Sequence, residues 1–342
     1  VTSTDTLPTA ERRPLSKRLV SANTFWIALV LLALIVVFGA LAPESFLTFQ
    51  NFQYLFIETS VLLVIAVGMT FVIITGGIDL SVGSVLIFAG MISAKTMEWM
   101  SPGQDASSAG WGVILVGMVV AIAGGSLWGL VNGLLVARAN IPPLIVTLGT
   151  LGAALGVASL LNDGSNARSV PTALRDSLGH GTLEGNIPNI VVVAAAITVI
   201  FGLVLHTTRF GRYTFAIGSN PEAARRSGIG VTRHLTNVYL LTGFLAGIAG
   251  FMSLAYYQST TISGHTTDNL NAIAGVVMGG TSLFGGVGTI LGTVIGVFIP
   301  AVLKKGFNII GVQDYWQQIA VGAVLVTAVW FDQKRRRANN KR

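Results

Sequence analysis

Apolar residues in this chain neither alternate nor recur on one helical face; they run on for long stretches and are punctuated by glycine. A bilayer core of about 30 Å takes about 20 helical residues to cross. Uncharged runs able to do so extend from Leu19 to Pro43, Thr59 to Ile78, Ala106 to Ala137, Ala139 to Asn162, Gly185 to Thr208 and His234 to Thr267. A further uncharged run, Asn269 to Leu303, is broken by Gly279, Gly280, Gly285, Gly286 and Gly288, which predicts two helical pieces. Tyr315 to Phe331 is short but crosses with its flanks, and Leu80 to Ala94, directly after Asp79, reads as a broken or partly buried helix. The expected fold is all-α: a polytopic membrane protein of about ten transmembrane helices, some of them broken, with a possible internal repeat. Eight crossings with re-entrant glycine-rich segments would satisfy the same parity.

Charge placement sets the expected direction. Of the 21 Lys and Arg, four precede the first apolar run (Arg12, Arg13, Lys17, Arg18), five lie between His206 and His234, and six follow Asp332. Basic residues flanking short loops stay on the cytoplasmic side, so both termini are expected there. The resulting division is a cytoplasmic tail at 1–24, a transmembrane domain at 25–331 with a cytoplasmic region at about 206–234, and a basic cytoplasmic tail at 332–342. Lys304 and Lys305 fall outside in this scheme, its weakest point. The first apolar run is too long for a signal peptide, and no convincing cleavage pattern follows Ala42.

Composition narrows the function. The chain of 342 residues is 52% apolar and 10% charged, where soluble domains spend about a quarter of their residues on charge. Its net charge of +7 lies in tails and loops, not on a folded face with stacking aromatics, so no nucleic-acid partner is expected; membrane lipid is. Without cysteine there is no disulfide, thiolate nucleophile or cysteine-held metal. The four histidines make no ligand spacing, and neither a G-x-x-x-x-G-K-[ST] loop nor a G-x-S-x-G elbow occurs. No catalytic residue, metal site or cofactor is expected, and any energy from ATP must come from another subunit.

Two stretches are more than apolar filler. In AVGMTFVIITGGIDLSVGS, Ala66 to Ser84, an aspartate stands within apolar sequence, which is costly unless it is paired, hydrated or capping. Gly76 and Gly77 can end one helix, and Asp79 or Ser81 can cap the next. Irregular backbone at membrane depth must face protein or a watery cavity. Asp79 is therefore a helix cap or packing anchor, a substrate contact, or part of gating or subunit contact. GGIDLSVG at Gly76 to Gly83 is echoed by GGTSLFGG at Gly279 to Gly286, as corresponding broken helices of a repeat would be. In RFGRYTFAIGSNPEAARRSGI, Arg209 to Ile229, Asn220 caps a two-turn helix that starts at Pro221. Glu222 suits its first turn, Ala223 and Ala224 permit close approach, Arg225 and Arg226 suit its last turn, and Gly228 stops it. A short surface helix between long spans is a docking element for a soluble partner, or else a solvated loop whose arginines fix topology. Gly125, Gly129 and Gly133, and Gly243, Ala246, Gly247 and Gly250, give faces on which helices approach closely.

From about Phe25 to Phe331 the chain resembles the permease subunits of bacterial ABC importers for monosaccharides, of the ribose, xylose, arabinose and galactoside type, in the branched-chain-permease-like superfamily. The stretches that carry the likeness are VGMTFVIITGGIDLSVGS (Val67 to Ser84), WGLVNGLLVARANIPPLIVTLGT (Trp128 to Thr150), RFGRYTFAIGSNPEAARRSGI, and GVVMGGTSLFGGVGTILGTVIG (Gly275 to Gly296). The resemblance implies a permease in the bacterial inner membrane, paired with a second copy or a related permease. It also implies docking on ABC ATP-binding subunits and delivery of cargo by an extracytoplasmic sugar-binding protein. Asn220 to Gly228 match the family's coupling region, and Gly76, Gly77, Asp79, Ser81, Ser84, Thr281 and Ser282 fall in the glycine-broken segments, candidates for the translocation path or its gate. Relatives commonly read Gly-x-Gly-Tyr-Glu-Leu-Asp-Ala-Ile where this chain reads Gly264 to Ile273, so Asn269 and Asn271 stand in place of two acids. That loss of charge is expected to alter the outer mouth, binding-protein docking or cargo, for instance towards a polyol. The competing class is an ion-coupled secondary transporter of a small polar solute.

Overall fold

The computed structural model describes residues 23–313 apart from 261, 263 and 266, and scattered positions from 316 to 330. Both basic tails and most of the Tyr315 to Phe331 run lie outside the described residues. The described part is helical apart from one two-stranded ribbon, in which Thr182 and Leu183 pair antiparallel with Ile187 and Pro188. The principal helices are α1 (Asn23–Leu41), α2 (Phe49–Ile74), α3 (Val82–Trp99), α4 (Trp111–Ala137), α5 (Pro143–Leu160), α6 (Asn189–Thr207), α7 (Arg209–Ser219), α8 (Pro221–Arg226), α9 (Val231–Tyr257), α10 (Asp268–Met278) and α11 (Ile290–Ile309). Seven of them, α1, α2, α4, α5, α6, α9 and α11, are long and apolar enough to cross a membrane. The glycine-broken run does form two helices, α10 and α11, but α10 with 11 residues rises only about 16 Å, half a bilayer core. The region after Asp79 folds as α3, largely buried and longer than the apolar run suggested because Lys95 and Glu98 pair at 2.9 Å in its last turns.

α2 and α9 form the centre, and α1, α4, α5 and α6 turn most of their surface outward. Lipid is as apolar as leucine, so helices in a bilayer gain by approaching closely, and small residues allow it. The α4–α9 contact is built that way. A Cβ added at Gly125 would overlap the Gly243 carbonyl, one at Gly129 the Tyr239 carbonyl, and one at Gly133 would lie 2.8 Å from the Thr236 backbone. The register is antiparallel. Gly250 continues the seam onto α3, against Leu86 and Gly90, and α10 packs antiparallel on α11 through Gly275, Gly279, Gly292 and Gly296.

Contacts between connections fix which helix ends share a side. Gln53 Nε2, near the start of α2, donates to the Asn186 carbonyl at 2.5 Å. Ser169 Oγ donates to Asp105 at 3.2 Å, and Thr172 Oγ1 donates to the Ser107 carbonyl at 2.6 Å. The Thr260 amide donates to the Ala167 carbonyl at 3.0 Å, which brings the end of α9 to the same side. Hydrogen bonds from the Ser107 amide and hydroxyl hold the Asp105 carboxyl below its ordinary range. Lys305 lies over the Tyr54 ring at 5.4 Å, and Gly306 abuts the Phe38 ring, so the end of α11 joins this side too. Among the described residues, the opposite side gathers Arg138, the five arginines of 209–233 and, as its one acid outside Asp79, Glu222.

Candidate functional site: two broken segments and a short amphipathic lever

α2 ends at Ile74 because Gly76 takes φ +80°, a left-handed conformation that glycine adopts without Cβ strain. Gly77 faces Tyr239, whose hydroxyl would be 2.6 Å from a Cβ there. Asp79, 2% exposed, turns the chain into α3: its Oδ1 accepts from the Ser81 amide at 2.9 Å and from Ser81 Oγ at 2.6 Å. Neither residue bonds the first-turn amides of α3: Asp79 holds the turn before the helix through the Ser81 amide, and the Ser81 side chain serves Asp79. Asn132 Nδ2 of α4 donates to Ser81 Oγ at 2.8 Å. The carboxylate is thus held by neutral donors. Asn132 Oδ1 and the Tyr239 hydroxyl are buried without a hydrogen-bond partner. Ser84 is buried one turn into α3.

The second break runs from Gly279 to Thr289. Gly280, Gly285 and Gly286 all have positive φ (+87°, +81° and +76°). Position by position it differs from the first break, since Gly76 is left-handed and its counterpart Gly279 is not (φ −68°). One element recurs at matched positions: Asp79 accepts from the amide of Ser81, and Ser282 Oγ accepts from the amide of Phe284 at 3.4 Å. These are side-chain-stabilised turns two residues long. Thr281 is buried and its hydroxyl has no hydrogen-bond partner. Thr70 and Thr293 join the helices that flank the two breaks, Oγ1 to Oγ1, at 2.7 Å.

Asn269, at the start of α10, is 5% exposed, and its Nδ2 donates to the Leu80 carbonyl at 2.9 Å. An acid could not make that bond unless protonated, because a carboxylate only accepts. The asparagine therefore stitches α10 to the first break. Asn271, in the same turn, is half-buried. His265, one of the four histidines without ligand spacing, has a structural place not named from the sequence: its Nε2 bonds Ser253 Oγ of α9 at 2.7 Å and its Nδ1 bonds Asp268 Oδ2 at 2.7 Å. A His-x-x-Asp spacing at a helix start was the available signal. The arrangement ties the α9–α10 connection together.

α7 buries Gly211, Thr214 and Ile217 on one side, spaced at three residues, and leaves Arg212 and Tyr213 exposed. Thr214 Oγ1 lies 2.9 Å from His234 Nε2, and the Phe210 ring sits 4.5 Å from the His234 ring. α8 follows after Asn220, whose Oδ1 accepts from the Ala223 amide at 3.0 Å. Pro221 occupies the first turn with Glu222, Arg225 and Arg226 end the helix, and Gly228 (φ +83°) lets the chain leave. Only Ala224 is buried, against Ile217 and Val231. Pro221, Glu222, Ala223, Arg225 and Arg226 are all exposed, and Arg225 lies 3.7 Å from Glu222.

The structure therefore separates the sequence-nominated residues into two groups. Asn220 to Gly228 form an exposed surface helix on the arginine-rich side. Gly77, Asp79, Ser81, Ser84, Asn269, Thr281 and Ser282 are buried in or beside the two breaks, while Gly76 is exposed and Asn271 half-buried.

The family described as branched-chain amino acid transport system / permease component matches residues 51–329. Among curated proteins, the chain is similar to the ribose import permease protein of Escherichia coli (strain K12), with 37% identity over 309 residues, 90% of this chain and 92% of the relative. It is similar to the D-allose transport system permease protein of the same organism, with 33% identity over 310 residues, 91% and 90%. It is also similar to the galactose/methyl galactoside import permease protein of Haemophilus influenzae, with 34% identity over 316 residues, 90% and 92%. No solved structure matches. A match over more than three quarters of the chain, together with end-to-end relatives above 30% identity, means that the chain belongs to the branched-chain amino acid transport system / permease component family.

Proposed function

We propose that this chain is the transmembrane permease subunit of an ATP-binding cassette importer that carries a monosaccharide or related polyol inward, energised by a separate ATPase subunit. The observation that carries the sugar, over the amino acid of the family's description, is that relatives matched over about nine tenths of their length are a ribose import permease, a D-allose transport system permease and a galactose/methyl galactoside import permease. On this reading α8 is the helix on which the ATP-binding subunit docks, because it is exposed, capped at its start and cationic at its end. The two broken segments border the path. The permease works as a dimer with a second copy or a related permease, and an extracytoplasmic binding protein supplies the sugar. Both termini are cytoplasmic in the bacterial plasma membrane, which puts the arginine-rich side inside. Ten crossings follow if α3, the segment 315–331, and α10 together with the chain leading into it are added to the seven long helices.

The test is reconstitution of the chain with the subunits that co-purify from its native membrane, followed by uptake of labelled ribose, D-allose and galactose with and without ATP. Uptake that needs ATP and the nucleotide-binding subunit supports the proposal. Uptake by the chain alone, driven by an ion gradient, defeats it and makes buried Asp79 the candidate for ion coupling.

A further inference from the structure

The two breaks and the lever α7 meet at one point, and they meet backbone to backbone. The Gly286 amide donates to the Ile74 carbonyl at 2.8 Å, joining the second break to the last turn of α2. Gly218, near the end of α7, sits against both: a Cβ there would overlap the Ile74 carbonyl and lie 2.6 Å from the Gly286 nitrogen. A Cβ on Gly285 would lie 2.8 Å from the Gly218 carbonyl oxygen and 3.1 Å from the Gly76 nitrogen, and one on Gly286 would lie 2.8 Å from Ser219 Oγ. Gly76, Gly285 and Gly286 are all left-handed; Gly285 and Gly286 are specified by lack of space as well as by φ, whereas Gly76, whose own Cβ would meet nothing within 4 Å, is specified by φ alone. No deformable side chain separates the three segments. Ser219 and Asn220 follow at once, and Asn220 is the cap of α8.

We infer that Gly218 is a positioning residue that ties α8 to both broken segments as one rigid relay, so that displacement of α8 by its ATPase moves both breaks together. This inference rests on the importer reading. α7 is pinned at its other half by Thr214 and Phe210 on His234, and Gly211 sits closely over the Leu205 carbonyl, so it can act as a lever between the docking helix and the breaks. Energetic coupling between distant sites travels through contiguous packed elements of this kind. A Cβ at position 218 forces the three backbones apart and lets α8 move without them.

Two variants of the reconstituted complex test the relay, with Gly152→Ala, whose Cβ meets nothing within 4 Å, as control. Gly218→Ala is expected to raise the ATP hydrolysed per sugar imported by about tenfold, within the range of measured inter-site couplings. The chain has no cysteine, and the short reach from Ser219 Oγ to a Cβ at position 286 suits a disulfide, so Ser219→Cys with Gly286→Cys can lock the junction. Gly286→Cys alone, in reductant, controls for the left-handed φ. A relay that moves as one body keeps the same uptake when oxidised as when reduced. Uptake arrested by oxidation and restored by reductant would show that the segments slide past each other and would overturn the relay, as would Gly218→Ala importing at the wild-type ATP ratio. Should Gly218→Ala not fold, the cross-link decides alone. Absence of ATP-dependent uptake in the wild-type complex would count against the importer reading, not against the junction.

Discussion

A graded series at Asn220 tests the docking role of α8. The helix has six residues, below the length at which helices hold in water without help, and its start depends on one side-chain bond, from the Ala223 amide to Asn220 Oδ1 at 3.0 Å. Replacing an asparagine cap by alanine costs about 1 kcal/mol, and replacing it by glycine only a few tenths. About 1 kcal/mol is a factor of about five in the local opening equilibrium, since RT is about 0.6 kcal/mol. Because only Ala224 of α8 is buried, little packing compensates. Asn220→Ala is therefore expected to speed amide exchange at Ala223 and Ala224 about fivefold and to lower binding-protein-stimulated ATP hydrolysis in parallel. Asn220→Asp and Asn220→Ser are expected to match the wild type, with Asn220→Gly between. Hydrogen exchange by mass spectrometry on the reconstituted complex reads the first quantity, and phosphate release the second. Faster exchange in Asn220→Ala with unchanged stimulation would refute the link between an ordered α8 and ATPase docking. Unchanged exchange would refute the cap's contribution itself.

Other expectations follow from the interior. Gly129→Leu places a side chain where the Tyr239 carbonyl already stands, and overpacking of this kind costs about 1–3 kcal/mol or more, so monodisperse yield and thermal stability in detergent should fall while Gly152→Leu stays near wild type. Asp79→Ala removes the acceptor of two buried Ser81 donors and should cost about 1–3 kcal/mol of stability, whereas Asp79→Asn keeps an acceptor oxygen and should be the milder change; equal loss in both, read by thermal unfolding, would mean that the charge itself is required.

Much of this architecture was legible because bilayer physics leaves strong traces. Long uncharged runs marked α1, α4, α5 and α6 closely, and glycines spaced at four residues marked the α4–α9 seam, since only small residues allow such contact. The cap, proline and arginines of α8 were readable because helix termini have local chemistry. What the sequence did not disclose is where elements meet. α3 extends past its apolar run because Lys95 and Glu98 neutralise each other, a contact invisible to hydropathy. Asn269 reads in the sequence only as a lost charge, and its bond to the Leu80 carbonyl, 189 residues away in the chain, has no local signal.

The same limit explains Gly218. It lies within a stretch that carries the family likeness, but no turn chemistry singles it out there, and it is not among the left-handed glycines. Its role appears only when Ile74 and Gly286, 144 and 68 residues away in the chain, arrive on either side of it and bond to each other. Glycines demanded by conformation, such as Gly76 and Gly228, can be found from turn chemistry. Those demanded by a third segment passing close by leave no local trace. In a permease whose energy comes from outside the membrane, that second kind is where the transmission has to lie, because a backbone contact between otherwise separate helices is the stiffest link available between a docking surface and a buried break.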